Sequence, residues 1–389
     1  EFSPIVEDIE RYDPAFILRF SVHSLSVGYI EPLEFASLGL LAVAFVSMSS
    51  ADLAMRKLAY DTIKMFLDVL ENCTRNKQVK WIKLLLLCLK NGVEEPWQRI
   101  PTVSAVFAAE ASLILLNSSH EHYVPIKKLL KSSPSLNLRG IPLFHEFLWS
   151  SAFNFKSQRL WELRLVCVCL KSDDDAKLYT RNSILEDMMS FFSTPLADDE
   201  TKGLILQVVR KSIKFQARHL VQNCGLFSWC SSLISMFTTK PIRDEDFHLV
   251  VVLNVITDVL ASRSVTEWLQ GEEMRGGPYG ECGQKSIIEP DNNNNRIDYP
   301  FPLEGLMEIS SRLCRLLGGG LVSIQENSTL VDLILQILSA TLKISQKVRK
   351  IYQHISPSLS MGYYNSLRLL LTVILLKSKL VQSVGLILY

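Results

Sequence analysis

Apolar residues recur along this chain at three- and four-residue steps, the pattern of helices that bury one face. The clearest run is Met55 to Leu70. Met55, Leu58, Ala59, Ile63, Phe66, Leu67 and Leu70 share one side of the predicted helix, and Lys57, Asp61, Lys64 and Asp68 share the other, where they offer two i,i+4 pairs. A second helix is predicted after Pro195. Asp198-Asp199-Glu200 open it, Leu204, Ile205, Val208 and Val209 carry it, and Arg210, Lys211 and Lys214 close it. Acid at the start and base at the end complement the helix dipole. A third follows Pro241 in the same order, with Asp244-Glu245-Asp246 ahead of Leu249, Val250, Val252 and Leu253.

Pro195 and Pro241 are 46 positions apart, and Ile100-Pro101 and Ile141-Pro142 give an earlier pair 41 positions apart. These intervals match the roughly 40–47-residue period of HEAT and armadillo units. The 53 positions from Pro142 to Pro195 make the repeat degenerate. No sustained strand-type alternation with hairpin turns occurs. The expected fold is all-α, an irregular α-solenoid of HEAT/armadillo-like helix pairs. Residues 271–298 break the pattern with Gly276-Gly277-Pro278, Gly280, Gly283 and the asparagines 292–295, a composition with too few apolar groups to bury a core. The expected organisation is a helical-repeat region over 1–270, a Gly/Asn-rich linker over 271–300 and a C-terminal helical region over 301–389.

Composition narrows the function classes. Of 389 residues 48% are hydrophobic, and 41 Lys+Arg balance 40 Asp+Glu to a net charge of +1. That excludes a mainly disordered chain, and a surface that attracts nucleic acid or membrane over its whole extent. The longest uncharged apolar stretch near the N-terminus, Phe35 to Ala51, has 17 residues with Gly39 and four serines inside it, short of a membrane span. The acidic start lacks the layout of a signal peptide and an initiator Met, so the sequence is expected to be a segment of a longer protein. Eight cysteines form no Cys-x-x-Cys pair and lie mostly in apolar context, as buried small hydrophobes of a reducing compartment would.

Candidate chemistry is thin. Gly283-Gln284-Lys285-Ser286 has the wrong spacing for a phosphate loop and no strand before it. His120-Glu121-His122 would point its imidazoles about 200° apart on a helix. His145-Glu146 has Trp149 where a second metal-binding histidine would stand, and Cys167-x-Cys169 shares the geometric fault of the first pair. Asp173-Asp174-Asp175 reads as a helix cap rather than a metal site. Cys224 with His219 is a nucleophile and base in principle, without an oxyanion-hole pattern. No catalytic residue, metal or cofactor is expected.

Charge segregation is the more informative signal. From Thr201 to Arg243 there is no acid and seven basic residues, among them Arg210, Lys211, Lys214 and Arg218. Arg210, Lys214 and Arg218 recur at four-residue steps and would line one ridge. From Leu333 to Tyr389 acid is again absent, and Lys343, Lys347, Lys350 and His354 form a second stripe, with Arg349 beside it. Arg210, Lys211, Lys214, Arg218, Lys343, Lys347, Arg349 and Lys350 are therefore the candidate RNA-binding residues. The competing reading is a solvated face, or pairing with acidic groups of the next helices. No RNA-recognition motif is present, so such binding would work through shape and charge.

Several stretches, in order and spacing, resemble the C-terminal region of the nucleolar pre-ribosomal-associated protein 1 family. They are Tyr12-Asp13-Pro14-Ala15-Phe16, Leu89-Lys90-Asn91-Gly92, Pro101 through Phe107, Ile141-Pro142-Leu143-Phe144, Arg159-Leu160-Trp161-Glu162-Leu163-Arg164, Thr194-Pro195-Leu196, Gly203-Leu204-Ile205-Leu206, Ala217-Arg218-His219-Leu220 and Gly225-Leu226-Phe227-Ser228-Trp229. The resemblance covers about residues 12–238 and implies a very large nucleolar helical-repeat protein without catalytic residues. It implies a scaffold in early large-subunit assembly, with precursor rRNA, small nucleolar RNAs, assembly factors and a DEAD-box RNA helicase as partners. Membranes and small-molecule substrates are not among them. Trp97, Trp149, Trp161 and Trp229 are expected between helices. The alternatives are a HEAT/armadillo-type transport or adaptor protein binding protein cargo, and a hydrolase using Cys224 and His219.

Overall fold

A computed structural model describes residues 12–71, 77–237, 247–269, 301–318 and 328–352. Among them are seventeen α-helices and no strand, as an all-α fold requires. The expected linker at 271–300 lies outside the described residues. The chain divides into two compact units, Glu1–Asp187 and Met188–Tyr389.

The first unit begins with α1 (Pro14–Val27), where the Asp13 carboxylate accepts from the Ala15 amide at 2.9 Å and Pro14 supplies a preset first turn. Next come α2 (Pro32–Ser37) and α3 (Leu40–Ser47), separated by Gly39 at φ 79°. The apolar stretch 35–51 is thus broken into two short helices. Among the described residues no single helix is long and apolar enough to cross a membrane. The predicted helix over 55–70 is α4 (Leu53–Glu71), whose buried Ala59, Thr62, Phe66 and Leu70 follow the expected face. Phe66 meets Phe35 with ring centroids 5.3 Å apart, and α3 packs on α1, α2, α4 and on α6 (Thr102–Ile114).

Between α4 and α6 runs α5 (Lys77–Gly92), followed after α6 by α7 (Tyr123–Ser132), α8 (Phe144–Leu148), α9 (Phe155–Cys169) and α10 (Asp173–Arg181). Pro101 stands immediately ahead of α6 as predicted, whereas Pro142 precedes only the five-residue α8, entered through Leu143 at φ 65°. Asp173–Asp175 form the first turn of α10. The Ser172 hydroxyl accepts from the Asp175 amide at 3.3 Å and donates to the Asp175 carboxylate at 2.8 Å, so the acidic triplet serves a helix start. The unit boundary falls within α11 (Ile184–Phe192).

The second unit contains α12 (Asp199–Gln222), α13 (Leu226–Phe237), α14 (Phe247–Ala261), α15 (Arg263–Leu269), α16 (Phe301–Gly318) and α17 (Ser328–Tyr352). At its centre α14 buries Leu249, Val252, Leu253, Val255, Ile256 and Val259, and it touches α12, α13, α15 and α17. The acidic triplet predicted to open it lies outside the described residues. Cys88, Cys167, Cys169, Cys230 and Cys314 are buried free thiols, as their apolar contexts predicted. Burial pushes the thiols of Cys169 and Cys230 up to about 12.

Candidate nucleic-acid interface

The predicted ridge at 210–218 lies on α12. Asp198 caps this helix through a 2.8 Å bond from the Thr201 amide, and Asp199 and Glu200 occupy its first turn. Ile205, Leu206, Val208, Val209, Ser212 and Ile213 face inward, which leaves Arg210, Lys211 and Lys214 exposed. The ridge is not one continuous row. Gln216 has φ −145° and ψ 39°, so the helix kinks between Lys214 and Arg218 and their four-residue register is lost. Arg218 instead places its guanidinium 5.6 Å from the centre of the Trp268 ring on α15. Arg210 donates from Nε to the Asp258 carboxylate on α14 at 2.6 Å. Gln207, Arg210, Lys211, Lys214, Asp258 and Ser262 line an open groove of about 700 Å³ between the two helices. Arg210 is matched there by Asp258, and Lys211 and Lys214 add two further exposed cations to its lining.

The second basic stripe lies on α17. Leu330, Val331, Ile334, Ile337, Leu338, Thr341 and Ile344 are buried, and Lys343 and Lys347 stand exposed. Arg349 and Lys350 belong to the same helix, but their side chains lie outside the described residues. The four α17 candidates therefore share an element that no described acid after Asp332 interrupts.

The weaker candidates resolve into packing. His120 and His122 are in the turn ahead of α7 and not on a helix, and their rings meet at 5.2 Å, contrary to the divergence that helical geometry predicts. His122 is 2% exposed and wedged against Phe147 and Trp161, and burial holds its basicity below that of an ordinary histidine. His145 approaches Asp187 at 3.3 Å, and Glu146 pairs with Lys128 at 3.1 Å. Ligand atoms of His219 and Cys224 lie within 4.8 Å, with the His219 Nδ1 engaged by the Asn223 amide at 2.8 Å. Trp161 and Trp229 are inter-helix residues, Trp229 donating to the Met189 carbonyl at 3.1 Å. Trp97 and Trp149 are 45% and 47% exposed, so the expectation for those two fails. Trp149 is the C-cap of the five-residue α8 and lies beyond the last buried turn.

Residues 41–229 match the family described as Nucleolar pre-ribosomal-associated protein 1. A mouse relative of this name is 27% identical over 278 residues, covering 70% of this chain and 12% of its own length. A human relative of the same name is 26% identical over 261 residues, covering 66% of this chain and 11% of its own length. The chain thus spans about an eighth of the curated relatives it matches. No solved structure matches it significantly. The resemblance read from the sequence is borne out, and α12 lies inside the matched region whereas α17 lies beyond it.

The matched region of this chain is held by buried side-chain packing and one sharp turn. Arg159, 2% exposed, donates from Nε to the Leu148 carbonyl at 3.0 Å, and Trp161 joins Phe107, Phe147 and His122. Gly225 takes φ 65° to turn the chain from α12 into α13. The matched region also holds a cationic cluster that sequence reading missed. The Lys127 and Lys131 ammonium groups lie 4.7 and 5.4 Å from the centre of the Trp81 ring. The available signal was the absence of acid from both Lys77–Gly92 and Tyr123–Ser132.

Proposed function

We propose that this chain is a non-catalytic scaffold segment of a nucleolar pre-ribosomal-associated protein, acting in the nucleolus in early assembly of the large ribosomal subunit. The observation that carries this reading is the family match over residues 41–229, supported by the names of the mouse and human relatives. In this reading helix pairs within each unit stack as an irregular α-solenoid of HEAT/armadillo type and offer long surfaces to other molecules. The exposed lysines of α12 and α17 hold precursor rRNA through its phosphates, with counterion release as the driving term. Small nucleolar RNAs, other assembly factors and a DEAD-box RNA helicase are the further partners. Cys88, Cys169, Cys230 and Cys314 have thiols pushed up by burial and are poor nucleophiles at neutral pH, so the non-catalytic reading assigns them to the core.

Ultraviolet crosslinking of the tagged protein in cells, followed by sequencing of the attached RNA, tests this function. Large-subunit precursor rRNA is expected, crosslinked to peptides from 201–243 or 333–389. Precursor rRNA that co-purifies without crosslinks to this chain would make the segment a protein-docking surface, and its absence altogether would remove the ribosomal role.

The Arg210–Asp258 pair gives a second test. Both partners are about half exposed, so the pair contributes little stability, about 0.2–1 kcal/mol. Asp258→Ala should leave the fold intact and free Arg210 for phosphate. Affinity for single-stranded RNA is expected to rise, with the slope of log affinity against log salt steeper by about 0.7. Fluorescence anisotropy across a salt series measures it, and an unaltered slope would show that this groove holds no RNA.

A further inference from the structure

We propose that the Trp81 face of the first unit, where α5 packs on α7, is a separate contact for single-stranded RNA, gripped through Lys127 and Lys131. The inference rests on the reading that this chain holds RNA, but it places a contact on a unit where the sequence pointed to none.

Charge density comes first. The two helices touch each other and together carry seven lysines and no acidic residue. Neighbouring acids match only part of that charge: Glu71 lies 3.8 Å from Lys83, and Glu146 lies 3.1 Å from Lys128. Among the described residues no carboxylate pairs with Lys127 or Lys131.

Convergence is the second observation. Lys127 and Lys131 are one helical turn apart, and both lean their ammonium groups toward the ring of Trp81, which is half-buried on the facing helix. Lys127 also lies 5.5 Å from the centre of the Tyr123 ring. The indole and phenol hold the two cations together by attraction to their π faces, while the cations repel each other. A phosphodiester entering between them relieves that repulsion and takes charge-assisted hydrogen bonds from both. Lysines held in place lose less side-chain freedom on binding than free ones.

The aromatic groups decide the class of ligand. An acidic peptide offers carboxylates but no flat partner for Trp81 and Tyr123. Single-stranded RNA offers phosphates that draw the two ammonium groups off the rings and unpaired bases that take the π faces so vacated, and basic grooves with interleaved aromatic rings bind it without sequence preference.

The test uses the whole chain and a fluorescein-labelled single-stranded RNA of about 12 nucleotides, with anisotropy read from about 50 to 200 mM salt. Lys127→Glu/Lys131→Glu is expected to weaken binding about tenfold at the lowest salt and to lower the salt slope by about 1.4, or 0.7 for each lost contact. Should that variant lose helicity, Lys127→Gln/Lys131→Gln reads the same loss with neutral side chains. Lys211→Glu/Lys214→Glu is the parallel variant on α12. If the wild-type chain binds and only the α12 variant weakens it, the Trp81 contact is overturned and the RNA reading stands. A wild-type chain that binds no RNA overturns both. Loss of binding to polyglutamate with RNA affinity intact would make the face an acidic-protein dock and overturn the proposal.

Discussion

Replacing Glu162 with Met is expected to stabilise the first unit at neutral pH by about 2 kcal/mol, an unusual direction for a buried position. Glu162 lies on α9, is 1% exposed, and neither carboxylate oxygen has a hydrogen-bond partner among the described residues. Burial raises its pKa well above that of an ordinary carboxyl, so the folded chain keeps the proton there. In the unfolded chain the same group ionises above about 4.5. Between the two values the folded state binds one proton more, so this group's contribution to stability falls as pH rises, by about 1.4 kcal/mol per pH unit. Met matches Glu closely in length, favours helix and asks for no hydrogen bond. Urea unfolding of both chains at pH 5 and pH 7.5 should show the gain widening toward the higher pH. A variant that is less stable, or that keeps the wild-type pH slope, would place a partner or a solvent path at Glu162.

Glu162 also shows where the sequence was legible. Its stretch, Arg159 to Arg164, was singled out for resemblance, yet nothing in its letters says that the arginine and the glutamate one turn apart are both buried. Where an element is fixed by local pattern, the reading and the structure agree. The face of α4, the proline ahead of α6, and the acidic opening of α12 all depend on residues within a turn or two of each other.

Disagreement begins where partners are distant in sequence or the backbone leaves regular geometry. Arg210 meets Asp258 48 positions on, and counting charges along α12 alone leaves that arginine free. The kink at Gln216 has no proline or glycine to announce it, so an i,i+4 ridge was extended across it. Trp81 meets Lys127 only because α5 and α7 pack together, and each helix by itself reads as an ordinary amphipathic segment with a solvated basic face. Trp149 shows the reverse error, since an apolar neighbourhood in the sequence put inside a ring that the end of a short helix leaves outside.

Gly92→Ala is expected to destabilise the first unit by about 2 kcal/mol, although alanine in place of glycine in a helix ordinarily stabilises by about 0.5–1 kcal/mol. The sign is set by what crosses the end of α5. The Leu136 amide donates to the Cys88 carbonyl at 2.8 Å, the Asn91 side chain donates to the Pro134 carbonyl at 2.9 Å, and the segment passes directly over Gly92. A Cβ there would collide with the Leu136 carbonyl oxygen, which is backbone and cannot swing aside as a side-chain tip could. Gly203, inside α12, is the internal comparison: a Cβ there meets nothing within 4 Å, so Gly203→Ala should stabilise by about 0.5–1 kcal/mol. Urea midpoints at unchanged slope measure both. Opposite signs would establish that Gly92, part of the Leu89–Gly92 stretch resembling the family, is there for backbone approach. If both variants gain stability alike, the loop does not cross α5 at this distance. The Leu89–Gly92 likeness would then reflect helix termination alone.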